Sequence, residues 1–197
     1  MRPYRLLLSA LALGCLARPA SAVTLGFDDL AELDVVTAQY AGVGAIFSGA
    51  PFVLEAGSLL NEFELPPRSN PNVVFGAVGA VGVAFASPVS HVSVYVSYLA
   101  PVVLTAFGAG DEVLASMTSA FTSNTPSAGG TPNELLEVSG TAIARVVIGG
   151  TAETFVFDDL TFDLEATPAP EPATATLTLI AAAVGIARTR RRGANRR

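Results

Sequence analysis

The chain has 197 residues and no lysine. Nine of its eleven arginines lie in the first 18 or the last 10 positions, so between Val23 and Thr167 only Arg68 and Arg145 oppose sixteen aspartates and glutamates, a side-chain charge of −14. A body that acidic repels a phosphate backbone, which excludes nucleic acid as a partner, and with Cys15 as the one cysteine no disulfide can staple the body.

Residues 1–22 read as a secretory signal peptide. Arg2 and Arg5 give a positive start, Leu6 to Leu13 an apolar stretch, and Ala20-Ser21-Ala22 a small-residue pattern where signal peptidase is expected to cut after Ala22. Leu13-Gly14-Cys15 carries part of a lipoprotein box, but Ala12 stands where that box takes leucine.

From Val23 to Glu165 apolar residues recur at period two in short runs, with no long 3.6-period stretch. The pattern predicts strands at Val23–Leu30, Val35–Tyr40, Gly44–Phe47, Phe52–Glu55, Val73–Phe75, Val78–Ala86 and Val89–Leu99. Further strands are predicted at Val102–Phe107, Glu112–Thr118, Leu135–Val138, Ala142–Ile148 and Glu153–Leu164. In Val89–Leu99 one face takes Val92, Val94, Val96 and Tyr98 and the other His91, Ser93, Tyr95 and Ser97, the alternation of a half-buried antiparallel strand. Phe107 to Asp111 and Ile148 to Thr151 read as hairpin turns in which glycine supplies positive φ, so the last two strands are expected to pair with one another. Leu65–Asn72 and Ser119–Asn133 are expected to be loops. Short strands at this spacing argue for an all-β fold, an antiparallel β-sandwich of the jelly-roll kind.

After the body come a proline-rich linker at 166–172 and a segment at 173–197, an uncharged run from Ala173 to Ala187 followed by an arginine cluster. As a helix the run rises about 22 Å, short of a hydrocarbon core of roughly 30 Å, while the arginines favour the cytoplasmic side. Pro170-Glu171-Pro172, a short apolar helix and terminal arginines, on a chain with a signal peptide, resemble the PEP-CTERM sorting tail. The resemblance implies a single transmembrane helix that holds the exported protein in the inner membrane until an exosortase-type transpeptidase processes it near the motif. It further implies a final place at the cell surface or beyond. Ala169 where valine is common, and a run rich in threonine, are departures from the pattern.

The body is similar to that of a group of PEP-CTERM proteins, through Phe27-Asp28-Asp29-Leu30, Gly42-Val43 to Phe47-Ser48-Gly49, and Phe157-Asp158-Asp159-Leu160-Thr161-Phe162. Together these resemble the jelly rolls of carbohydrate-binding modules. What that resemblance implies is a first and last strand lying near each other, with acidic residues from both ends holding a structural calcium ion. Asp28, Asp29, Asp158 and Asp159 are the candidate ligands, calcium needing six to eight oxygens. Exposed carboxylates that cap strands account for the same residues without a metal.

Catalysis has no visible constellation. Asp158 and Asp159 are sequence neighbours and point to opposite faces of a regular strand, Glu134 and Glu137 lie in or beside a loop, and His91 is the one histidine. For carbohydrate contact Tyr95 and His91, on one strand face, are the candidates, although the body has no tryptophan. The sequence thus reads as an exported, non-catalytic surface or extracellular-matrix protein, binding calcium and extracellular polysaccharide. A carbohydrate-active enzyme or a lectin-like module is the alternative.

Overall fold

The computed structural model describes residues 21–69 and 71–164. Among them nine strands form: β1 (Ser21–Leu25), β2 (Ala45–Ser48), β3 (Phe52–Glu55), β4 (Asn72–Phe75), β5 (Ala80–Tyr98), β6 (Val103–Phe107), β7 (Val113–Thr118), β8 (Glu134–Gly149) and β9 (Phe155–Leu164). All pairings are antiparallel.

Strict alternation builds the spine. Val81, Val83, Val92, Val94, Val96 and Tyr98 of β5 are fully buried, as are Leu136, Ile143, Val146 and Ile148 of β8. Both strands are long enough to change partners midway. The first half of β5 lies between β2 (Ala45 opposite Phe85) and the second half of β8 (Ala84 opposite Arg145), with β6 and β7 beyond. Its second half lies between the first half of β8 (Val92 opposite Val138) and β9 (Val92 opposite Phe162). β9 is flanked in turn by β1 and β4, with β3 outermost. The hydrogen-bonded ladder therefore folds into two layers whose inner faces meet in one apolar cluster. This is the expected all-β antiparallel sandwich. Residues 20–165 form one compact unit.

Five local expectations are corrected. Each long strand was expected as two, but only the ladder breaks: the β5–β8 register shifts between Ala84 and Val89, beside Pro88, which has no N–H to give to a ladder. Val35–Tyr40 is not a strand; Val35 alone bridges to Phe52, on the outer edge of β3. β1 stops at Leu25 because Phe27 takes a left-handed φ of 62° and turns its ring into the core. The turn at Phe107 to Asp111 does form a hairpin, yet its positive φ falls on Asp111 and not on a glycine. β8 and β9 do not pair, since β5 lies between them. The Gly149-Gly150 link instead donates Gly150 N–H to the Gly79 carbonyl.

β1 and β9 do lie side by side, as the resemblance implied, with Leu25 opposite Leu160 and Ser21 opposite Leu164. The expected cut after Ala22 would make Val23, opposite Phe162, the first paired residue. The phenylalanines of the two Phe-Asp-Asp-Leu repeats meet edge to face, their ring centres 5.8 Å apart. At the end of β4 a Cβ on Gly76 would stand 2.1 Å from the Phe155 ring, so only glycine lets that ring close the core.

The connection from β3 to β4 runs over the outer face of the second layer. Leu60 and Leu65 from it pack on Val73 and Val156 and make a small second core. Burying those apolar groups seats the chain from Pro66 to Ser69 beside Tyr95, which positions the site described next.

The apolar run at 173–187 and the motif Pro170, Glu171 and Pro172 lie outside the described residues. Among the described residues no helix is long and apolar enough to cross a membrane.

Candidate functional site

The outer face of the second layer carries the polar residues that alternation sends away from the core. Cross-strand register sets Glu137, Ser93, Thr161 and Thr24 in one line across β8, β5, β9 and β1. At about 4.8 Å per strand the line spans about 14 Å. The Thr24 and Thr161 hydroxyls are bonded to each other at 2.8 Å. Next to this line lies a second, Leu135 and Tyr95, with Asp158 opposite Tyr95 on β9. His91 stands on the same face, its Nε2 3.6 Å from Glu137 Oε2, an ion pair when the imidazole is protonated. Tyr95 and His91 are thus both half-exposed on the outer face, where alternation placed them, with Ser93 between them, while Ser97 is buried beneath the backbone N–H of Asn133, which donates to its Oγ at 3.0 Å.

Tyr95 is not the bare platform expected. The Arg68 guanidinium carbon lies 4.6 Å from its ring centre, a cation–π stack. The position of Arg68 follows from a β-bulge. Ser93 pairs with Thr161 and Tyr95 with Asp158, so β9 holds one residue more than β5 over this interval, and Asp159 takes φ 47°. That extra residue corrects the expectation that Asp158 and Asp159 point apart: the Ser69 hydroxyl reaches both, at 3.4 Å and 3.0 Å.

Asp158 is 1% exposed. Its Oδ2 accepts the backbone N–H of Arg68 and of Ser69, each at 2.8 Å, and its Oδ1 accepts that of Asp159 at 2.7 Å. Burial pushes its carboxyl up to about 6, outweighing the downward pull of the N–H donors of Ser69 and Asp159. Asp28 and Asp29 are both exposed. Asp28 accepts the Asn72 N–H at 3.0 Å, and Asp29 accepts the Tyr40 hydroxyl, which burial and that carboxylate hold well above the usual phenol range.

The donor set therefore does not fit a calcium ion. Asp158 spends its oxygens on backbone N–H groups, Asp29 turns to Tyr40, and among the described residues no three His, Cys, Asp or Glu side chains are placed to share a metal. Melting the purified protein with calcium and with EDTA should give one midpoint; a rise of several degrees with calcium would restore the metal reading.

Glu134, the other acid near the loop, is structural as well: it accepts the Tyr98 hydroxyl and, at 2.8 Å, the Ala120 N–H. An open depression of about 430 Å³ lies beyond Thr24, bordered by Gly26, Asp29, Tyr40 and Val43, so the hydroxyl line ends at its lip. Alternation had placed Ser93 on this face, but sequence reasoning missed Arg68, Thr24 and Thr161 as members of it. Arg68 had a signal, being one of two cations in the body; the threonines had none, because register rather than composition brings them together.

What the geometry defines is a β-sandwich with a hydroxyl-lined outer face and a stacked guanidinium–phenol pair at one end. Compared with known proteins, the chain matches no family profile and no curated protein. Among solved structures it is similar to an arabinose-bound α-L-arabinofuranosidase, MgGH51, at 15% identity and TM-score 0.40, over 70% of this chain and 25% of that one. It is similar also to a family 29 carbohydrate-binding module from Piromyces equi, at 11% identity and TM-score 0.33, over 60% of this chain and 90% of that one. A third is a carbohydrate-binding module from Cellvibrio mixtus lichenase 5A in complex with cellotriose, at 12% identity and TM-score 0.35, over 69% of this chain and 100% of that one. Likenesses this loose transfer nothing about ligand or activity.

Proposed function

We propose that the body is a non-catalytic polysaccharide-binding module of an exported surface or matrix protein, and that it binds through the outer face of the second layer. The observation that carries this reading is the line of Glu137, Ser93, Thr161 and Thr24 beside the Arg68–Tyr95 stack. Such a line offers donors and acceptors in a row to the hydroxyls of an extended sugar chain, and the stack offers a flat surface to a ring. The body charge of −14 favours neutral over anionic polysaccharide, since like charges repel at long range. Asp158 and Asp159 are held as acceptors for the loop, which does not suit them to act as a glycosidase pair.

A glycan array followed by affinity electrophoresis in neutral polysaccharide gels tests the reading. Retardation is expected, reduced about fivefold or more in affinity by Tyr95→Ala at the cost of one aromatic contact. Binding that is unaffected by Tyr95→Ala and by Thr161→Ala would remove this face from the function.

Export and sorting belong to the same proposal. The signal peptide delivers the body outward, and Pro170-Glu171-Pro172 with the run behind it holds it in the inner membrane until an exosortase-type enzyme acts. Fusing residues 166–197 to a reporter in a host that has such an enzyme should give processed reporter. Glu171→Ala should leave it in the inner membrane, and normal processing of that variant would refute the sorting role.

A further inference from the structure

We propose that Asp158 is a positioning residue for the binding face: through the backbone of Arg68 and Ser69 it sets the guanidinium of Arg68 over Tyr95. The inference rests on the reading of that face as the polysaccharide site, and it goes beyond that reading by naming a residue that no ligand can touch.

The geometry leads there in three steps. Arg68 is exposed and its guanidinium makes neither of the ion pairs found among the described residues, so none of their acidic side chains pins it over the ring. A long exposed side chain loses rotamer freedom when it is fixed, and at an exposed site a cation–π contact returns no more than that loss. Fixing the Cα and its direction in advance therefore decides whether the stack is populated. That is what Asp158 does. Its carboxylate is buried, sits opposite Tyr95 on the neighbouring strand, and receives the N–H groups of Arg68 and Ser69 in one fork at 2.8 Å each. Carboxylate bonds to backbone N–H are short, charge-assisted and directional. Leu65, in the small second core, and the Pro67 carbonyl, which accepts from Asn133 at 3.4 Å, hold the chain just before the fork.

The charged groups around Asp158 support this arrangement. Asp159, next to it, raises its proton affinity, and its own carboxylate is drawn off by the Ser69 hydroxyl at 3.0 Å. Arg68 and Tyr95 occupy the side toward solvent.

The test uses the full chain after export, and its first readout needs no sugar. In NMR spectra the side-chain protons of Arg68 should show the upfield ring-current shift of a group stacked on Tyr95, and Tyr95→Leu should abolish it. Asp158→Asn puts an NH₂ or a single oxygen where two N–H donors converge, and it is expected to abolish the same shift while the strands stay folded. Persistence of the shift in Asp158→Asn overturns the proposal. Should that variant not fold, Ser69→Pro deletes one donor of the fork and leaves the carboxylate in place, with the same two outcomes.

The second readout is affinity for the neutral polysaccharide found by array. Arg68→Ala and Asp158→Asn should each weaken binding about fivefold, and the double variant should be no weaker than either single one, because both act through one contact. Additive losses mean that Asp158 acts on stability alone and overturn the proposal. If the wild-type protein binds no glycan while the ring-current result holds, it is the functional reading of the face that fails and not the positioning.

Discussion

Replacing Phe27 by alanine is expected to remove about 3–5 kcal/mol of stability. Phe27 is 1% exposed and its ring stands edge to face against Tyr40, Phe47 and Phe157, with centres 5.5, 5.9 and 5.8 Å away. It joins three chain segments that no disulfide ties. Each aromatic pair adds about 0.5–1.5 kcal/mol beyond the area it buries. The backbone supplies an internal control. Phe27 sits at φ 62°, which costs a non-glycine residue roughly 1–2 kcal/mol. Phe27→Gly loses the same ring and sheds that strain, so it should be more stable than Phe27→Ala by about 1 kcal/mol. Urea unfolding followed by circular dichroism measures both. A loss under 1 kcal/mol for Phe27→Ala would mean that the ring is not the hub described.

Acidification should stabilise the protein through Asp158. Its folded value of about 6 lies above the ordinary aspartate value of 3.8, so between those two pH values the folded chain holds a proton that the unfolded chain has released. Stability from this group is thus fully present below about pH 4 and is lost as pH rises through about 6. Discounted for residual solvent screening, the effect is about 2 kcal/mol. Repulsion within the acidic body acts in the same direction, so the useful quantity is a difference. Taking Asp158→Asn minus wild type, the variant should gain about 1 kcal/mol relative to wild type between pH 4.5 and pH 7.5, the larger part of that effect. Parallel pH profiles for the two proteins would show that Asp158 titrates normally.

Much of the fold was legible because it rests on alternation. The inward set of β5, Val92, Val94, Val96 and Tyr98, could be read without a structure, and so could β3 to the residue. Partner choice could not. Gly149-Gly150 has the composition of a tight hairpin, yet β9 gains more by inserting between β5 and β4, where Phe157 and Phe162 are buried, than by folding back on β8. The candidate site was legible only in part for the same reason. Tyr95 and His91 lie on one strand and share a face by local parity, whereas Thr24 meets Thr161 across 137 positions of sequence. The bulge at Asp159 was invisible as well, because a positive φ at an aspartate leaves no mark on the apolar pattern, and it alone turns two neighbouring aspartates toward one loop.

The adjacency of β1 and β9 bears on mechanical load. Were the proposed C-terminal sorting tail to hold the protein to an envelope, load would enter the described fold at Leu164, the last residue of β9. β9 is hydrogen-bonded on one flank to β5 and on the other to β1 and β4, and all of these run antiparallel to it. A tug along that axis shears many bonds together instead of peeling them one by one. The strand nearest the proposed tether would then also be the one best placed to resist it, and drag on a polymer held by the proposed face would reach that tether without first unravelling the face.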